Sequence, residues 1–143
     1  SMDTELMLLF AARCDHLERS IRPALAAGRW VVCDRFTDST WAYQGGGRQG
    51  PTQRIAWFED WIHGDLQPDR TYLFDLPAEL AAQRRAVARS ADRFEREDLA
   101  FFTRVREGYR LRAASAARRF LVIDAEKPIE YMRAILEEDI ISI

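Results

Sequence analysis

Cysteine and histidine are scarce, with two of each in 143 residues. Cys14, Cys33, His16 and His63 show none of the spacings by which zinc is held, and two thiols alone do not make a disulfide framework; the pattern predicts two reduced core cysteines. Charge of one sign is lacking too. Lysine and arginine number 21 against 23 acidic residues, for a net charge of −2, which argues against broad binding to nucleic acid or to an anionic membrane. No apolar run is long enough to cross a bilayer and no secretory leader pattern is seen, so a soluble, intracellular chain is expected. Low-complexity tracts are absent. Absent as well is any Gly-x-x-x-x-Gly-Lys-Ser/Thr stretch, the backbone cradle for nucleotide phosphates. The three successive glycines, Gly45 to Gly47, do not fit that fingerprint and read as a flexible loop.

Apolar residues are plentiful at 48%, ample for one compact domain of this length. Leu6, Leu9, Phe10, Leu17 and Ile21 recur at helical steps between Asp3, a candidate cap, and Gly28, a natural stop, with a kink or break expected at Pro23. "WVVCD", Trp30 to Asp34, is continuously apolar up to its last residue and predicts a strand buried on both faces. A helix is expected from Thr52 to His63, with Ile55, Phe58, Trp61 and Ile62 on one face and Gly64 closing it. Arg70 to Asp75 reads as a second strand, Pro77 to Ala88 as a helix, Arg89 to Asp98 as a loop, Leu99 to Ala114 as a helix, and Phe120 to Asp124 as a third buried strand. Pro128 then opens a last helix carrying Ile129, Met132, Ile135 and Leu136. Strands alternating with helices predict an α/β fold with a parallel sheet covered on both faces. Ligands in such folds sit outside the carboxyl ends of the strands, where Asp34, Asp75 and Asp124 fall.

Beyond Val31 the chain reads "VVCDRFTDSTWAYQGGGR", rich in hydrogen-bonding groups where this architecture places its chemistry. Asp34 and Arg35 offer a carboxylate beside a planar cation suited to phosphate oxygens, or a structural ion pair capping the sheet. Thr40 and Gln44, four apart on a helical stretch, share a face and can read a nucleobase edge, while Tyr43 can pack on a sugar; an ordinary polar helix surface is the plainer alternative. Phe10 and Arg13, three apart, can enter one pocket as a base cover and an edge donor, although Phe10 by itself is a core residue. Arg84, Arg85, Arg89, Arg93 and Arg96 make a basic stretch that is a solvated face unless phosphate is the substrate.

Taken together, "TELMLLFAARCDHLE", "GRWVVCDRFTDSTWAYQGGGR", "GDLQPDRTYLFDLP", "DRFERED", "FFTRVREGYRLRAA" and "RFLVIDAEKP" resemble bacterial thymidylate kinases in the family's order and over nearly the whole chain. The resemblance implies a P-loop nucleoside monophosphate kinase fold, with a parallel sheet and flanking helices, and transfer of the terminal phosphoryl of ATP to dTMP with magnesium. It implies one kinase domain over residues 1–143, with a dTMP-binding region at 3–64 and a lid near 89–98. Arg13, Thr40 and Gln44 would recognise thymine, Tyr43 would lie against the deoxyribose, and Asp34 and Arg35 would stand beside the phosphates. Arg89 and Arg93 would clamp the transferring group from the lid, and Asp124 and Ala125 would pass the adenine. The protein ligand set for a metal is none. A cytoplasmic homodimer is implied, pairing through helices that include Leu6 to Ile21, with no nucleic-acid or membrane partner.

Two departures qualify the resemblance. Many relatives carry the thymine-stacking Phe four residues before the Arg; here Leu9 holds that place and Phe10 comes one later, so either can cover the base. The 143 residues also lack the family's phosphate-binding loop and first strand, which in the family's sheet lies between the strands matching Trp30–Asp34 and Tyr72–Asp75. Loss of a central strand strands backbone groups at about 1–3 kcal/mol each. These residues are therefore expected to be part of a longer polypeptide and inactive alone. The alternative is a non-catalytic nucleotide-binding or dimerisation fragment.

Overall fold

Helix α1 spans Met2–His16 in the computed structural model, which describes residues 1–88 and 95–143. Ser1, not Asp3, caps it, its Oγ accepting the Thr4 N–H at 3.2 Å. Asp3 instead sits inside the first turn with Glu5, where the helix dipole favours acidic groups, and Arg13 and His16 occupy the last turn, where it favours basic ones. The expected break at Pro23 takes the form of a wide π turn over Leu17–Ile21, followed by a short helix α2, Arg22–Ala26. The Arg22 N–H reaches back five residues to the Leu17 carbonyl. A wider turn lets the chain absorb a proline that has no N–H and whose ring crowds the preceding turn. Gly28, at φ 70°, ends the helical run.

Residues 29–36 then form neither helix nor strand, against the expectation of a buried strand at Trp30–Asp34. Trp30 is 73% exposed, Val32 97%, and Cys33 is exposed too, so it is no core thiol. A strand is stable only within a ladder, and among the described residues no segment pairs with this one. The chain re-enters helix at α3, Thr37–Thr40, which passes into a second π-helical turn, Trp41–Gly47. Gly45 to Gly47 are thus helical, not loop. Gly45 and Gly47 are buried, because α4 (Thr52–His63) crosses close by: a Cβ on Gly45 would stand 3.4 Å from Ile55 Cδ1.

The chain divides into two compact units, Ser1–Gln67 and Pro68–Ile143. In the first, Leu6, Phe10 and Ile55 form the core, with Met2, Trp41, Phe58 and Ile62 packed against them. Complete burial of such side chains contributes about 1.5–3 kcal/mol each. Trp61, expected on the inner face of α4, is 65% exposed, and the buried positions of that helix are Ile55, Glu59 and His63.

The second unit holds a two-stranded parallel sheet, β1 (Thr71–Asp75) and β2 (Phe120–Asp124), in register from Thr71 opposite Phe120 to Asp75 opposite Asp124. Helices α5 (Ala78–Ala88), α6 (Glu95–Ser115) and α7 (Ile129–Ser142) accompany it. The long α6 begins four residues before Leu99, the expected start, since the charged residues there carry no apolar period. Val105, Ala113, Phe120 and Ile123 are buried, whereas Phe74 is 49% exposed and Val122 52%. The sheet is therefore not covered on both faces as expected. Ile129, among the apolar residues that α7 carries, is also exposed.

Candidate functional site

In the first unit the polar residues of the motif turn inward. Thr37, Asp38, Ser39 and Thr40 are all buried, an unusual run for four consecutive polar side chains. Thr40 Oγ1 accepts from Arg13 Nη2 at 3.2 Å, which ties α3 to α1. The Arg13 guanidinium lies over two rings, with Cζ 5.0 Å from the Phe10 centroid and 5.6 Å from that of Phe36. Burial lowers the Arg13 pKa from its ordinary value, opposed by the nearby Cys33, Glu59 and Asp38. Its second terminal nitrogen, Nη1, is buried and has no hydrogen-bond partner among the described residues. A buried N–H of a cation left unmatched costs several kcal/mol, as a rule of thumb about 1–3 or more. Such a group is placed to receive an acceptor.

Phe10 itself is only 1% exposed, stacked on Phe58 at 5.0 Å with 13° between the planes. It supports the guanidinium as a core ring. Leu9, one residue earlier, is half-buried. Gln44 Nε2 donates to Glu5 Oε1 at 2.8 Å, and Arg48 Nη1 donates to Glu5 Oε2 at 2.5 Å, so one carboxylate orients both side chains. Thr40 and Gln44 both reach α1, as their four-residue spacing anticipates. Arg35 adopts φ 65°, a left-handed backbone that costs a non-glycine residue about 1–2 kcal/mol. Its Nε donates to Ser39 Oγ at 3.2 Å, and its Cζ lies 4.5 Å from the Tyr43 ring centroid, while Asp34 beside it is exposed. Tyr43 and Arg35 are thereby brought together.

The residues that spacing missed are the supports. Phe36 stacks on His63 at 4.7 Å, and Thr37 Oγ1 meets His63 Nε2 at 3.0 Å. His63 is fully buried, and burial lowers its pKa to about 4, so the ring is neutral. Buried Glu59 accepts Trp41 Nε1 at 2.6 Å and Gln67 Nε2 at 3.1 Å. No local pattern marks these contacts, since each joins residues far apart in sequence or is carried by a histidine outside any motif.

In the second unit the carboxyl ends of β1 and β2 bring Asp75 and Asp124 side by side. Arg106 binds Asp75 through two bonds of 2.7 and 2.8 Å, and these hydrogen bonds hold the Asp75 carboxyl below its ordinary pKa. The next residue of the β2 exit, Ala125, donates its N–H to the Asp75 carbonyl at 2.9 Å and accepts from Arg84 Nη1 at 2.9 Å. Asp124 accepts the Glu126 N–H at 2.9 Å, with Lys127 Nζ 3.9 Å away. Asp124 and Ala125 thus sit in a turn fixed from both sides. Arg84, read from sequence as part of a solvated basic face, is one of its fasteners. Arg89 and Arg93 lie outside the described residues. Among the described residues there is no cluster of three or more His, Cys, Asp or Glu side chains suited to a metal ion.

Parallel strands with acidic exits, in a chain that alternates strands with helices, belong to the α/β class. A family model described as thymidylate kinase matches residues 1–135. The chain is 54% identical over 140 residues to a thymidylate kinase of Bordetella pertussis, covering 98% of this chain and 67% of the relative. It is 54% identical to one from Bordetella petrii, covering 98% and 68%, and 53% identical over 142 residues to one from Cupriavidus necator, covering 99% and 70%. The chain belongs to the thymidylate kinase family, with the P-loop nucleoside monophosphate kinase fold of that family, and it spans about two thirds of the length of these relatives.

Proposed function

We propose that this chain carries the thymidylate-recognition part of a kinase that transfers the terminal phosphoryl of ATP to dTMP, giving dTDP. One observation carries the assignment to the thymine side: the buried Arg13 Nη1, without an acceptor among the described residues, on a guanidinium whose other end is held by Thr40. A thymine carbonyl supplies the missing acceptor. Thr40, held by Arg13, and Gln44, oriented by Glu5, complete the reading of the base edge. Tyr43 presents its ring to the deoxyribose. Arg35 leans over that ring and extends the positive charge toward the phosphate, where its strained backbone is of a kind that clusters at functional sites.

Phosphoryl transfer depends mainly on positioning and on neutralising charge as it spreads over the phosphate oxygens. Arg35 serves that role in this reading, with Arg89 and Arg93 closing from the lid. Magnesium, bound with ATP, would neutralise charge on the nucleotide oxygens. Asp34, an exposed carboxylate next to Arg35, suits one of its waters. Asp124 and Ala125, fastened by Arg84 and Asp75, form the turn along which adenine passes. The enzyme is taken to act in the cytoplasm; among the described residues no helix is long and apolar enough to cross a membrane. It is taken to pair as a homodimer through helices that include the one over Leu6 to Ile21, on which Met7 and Leu8 are exposed.

Calorimetric titration tests the recognition. The protein should prefer dTMP over the other deoxynucleoside monophosphates, and Arg13→Ala should weaken dTMP about 10- to 100-fold, the worth of a hydrogen bond to a charged group, with ATP little changed. Gln44→Ala should act in the same direction and less. Equal weakening of both nucleotides, or no preference for dTMP, overturns the assignment.

A further inference from the structure

His63 lies at the last turn of α4, just outside the segments that carry the family resemblance, yet it touches the site at two points. Its ring stacks on Phe36 at 4.7 Å with 28° between the planes, and its Nε2 meets Thr37 Oγ1 at 3.0 Å. Phe36 and Thr37 follow Arg35 directly and open α3, so a side chain that fixes them sets where α3 begins. Phe36 also meets Arg13, whose guanidinium lies over Phe10 too; the His63 ring stands 6.3 Å from Phe10 as well. The imidazole thus closes a ring of contacts in which Phe10, Phe36 and Arg13 are the other members. Arg22 Nη2 donates to the His63 carbonyl at 3.0 Å, which anchors the histidine backbone to the helix after the π turn. The rings and the Arg13 guanidinium are buried or half-buried, where a small displacement of one ring moves the next.

We propose that His63 is a positioning residue for nucleotide recognition: its buried ring, stacked on Phe36, fixes the aromatic that the Arg13 guanidinium lies against and so aims the guanidinium at the base. The inference rests on the reading of Arg13 as the thymine contact. A neutral, flat side chain suits the place, because a cation there would repel Arg13 and an aliphatic one would not match the Phe36 face. The hydrogen bond to Thr37 has a separate task. It satisfies a buried hydroxyl and secures the fold of the α3 start, and its loss lowers stability more than affinity.

Two variants separate the ring from the bond. His63→Gln keeps a hydrogen-bonding group for Thr37 and removes the stacked ring; His63→Phe keeps a ring against Phe36 and removes the bond. Calorimetry with dTMP should show about a tenfold loss of affinity for His63→Gln and less than about a twofold change for His63→Phe, equivalent to roughly 1.4 and under 0.5 kcal/mol. Affinity for ATP should stay unchanged in both. In an Arg13→Ala background the His63→Gln loss should vanish, since there is no guanidinium left to aim. If His63→Gln fails to fold, Phe36→Leu breaks the same stack at a half-buried position and should give the same tenfold loss. Wild-type affinity in His63→Gln, equal losses in both His63 variants, or an undiminished loss in the Arg13→Ala background overturns the proposal. If the unmodified protein shows no preference for dTMP, the fault lies instead with the reading of the site.

Discussion

The units Ser1–Gln67 and Pro68–Ile143 treat polar side chains in opposite ways. Among the described residues, Thr37, Asp38, Ser39, Thr40, Glu59 and His63 are the buried polar or charged ones, and all lie in the first unit. In the second, polarity stays at the rim: Arg106 with Asp75 and Arg70 with Asp139 are partly exposed pairs that fasten helices to strand ends. Buried polar groups lower stability unless they are matched, so a fold that gathers them in one place has a use for them there. A ligand-reading region must hold its donors in fixed positions, which buried and mutually bonded polar groups do. A fastening region has no such need, and half-exposed pairs suffice.

Acid should separate the units first, and by the largest margin. His63 titrates at about 4 when folded and at 6.5 when unfolded, so between those values the unfolded chain takes up the proton that the folded chain refuses. Stability is complete above pH 6.5 and falls as pH drops toward 4, by about 3 kcal/mol in all. Asp75 is the reverse kind of group. Its carboxyl is held below 3.8 by Arg106, so its contribution is present above that value and lost only as pH falls through its lower folded pKa. All four tryptophans lie in the first unit, at 30, 41, 57 and 61, which makes their emission a report on that unit alone. Urea midpoints read by tryptophan should fall between pH 6.5 and 4, and His63→Phe should flatten that slope. A midpoint constant down to pH 4 would break the contrast between the units.

Gly50→Ala comes next in size. A Cβ at that position would stand 2.7 Å from the Gln44 carbonyl oxygen, the acceptor of the Gly50 N–H at 2.8 Å, so backbone has to move. The expected cost is about 1–3 kcal/mol, read as a lower tryptophan-monitored midpoint, with weaker dTMP binding because Gln44 shifts with its carbonyl. An unchanged midpoint would mean that this turn adapts more freely than its contacts indicate.

Helices and the two paired strands were legible in sequence because each carries its own period: Leu6 and Phe10 on α1, Ile55 on α4, and the apolar runs before Asp75 and Asp124. What escaped depends on partners. Trp30–Asp34 has the composition of a buried strand, but composition cannot supply the ladder that makes one, and Val32 ends up in solvent. Gly45 to Gly47 look like a loop because glycine weakens any helix, whereas here the turn lies against α4, with Gly45 next to Ile55 and Thr52. The site divides likewise. Arg13, Thr40 and Gln44 could be grouped from spacing and family resemblance, and Arg13 and Thr40 do meet. Phe36 was visible only as part of a motif, and His63, Glu5 and Glu59 were not visible as neighbours at all, since nothing local in the chain announces the contacts with Thr37, Gln44 and Trp41, which lie 26, 39 and 18 residues away.

In the second unit, Asp75→Asn should have a smaller effect than either change above. The pair with Arg106 is bidentate but partly in water, so the loss is about 1 kcal/mol. It should appear in far-ultraviolet circular dichroism as a lower thermal midpoint and leave dTMP affinity unchanged, because the fastening region is not the reading region. A loss of dTMP affinity as large as that of Gln44→Ala would erase the distinction.

The smallest expectation is a control on that distinction. Each unit carries an exposed i,i+4 pair on a helix, Arg19 with Asp15 in the first and Arg133 with Glu137 in the second, both at 2.6 Å. Geometry alone would rank these with the tightest contacts of the chain. Their side chains are mostly in water, however, which screens the attraction and solvates each partner once the other is removed. Arg19→Ala and Arg133→Ala should therefore leave the thermal midpoint, the dTMP affinity and the acid slope unchanged, and alike in the two units. If Arg19→Ala alone lowered dTMP affinity, surface charge near the first unit would be steering the nucleotide, and raising the salt concentration should then abolish the difference. Equal silence from both variants would leave buried polarity as the feature by which the units differ.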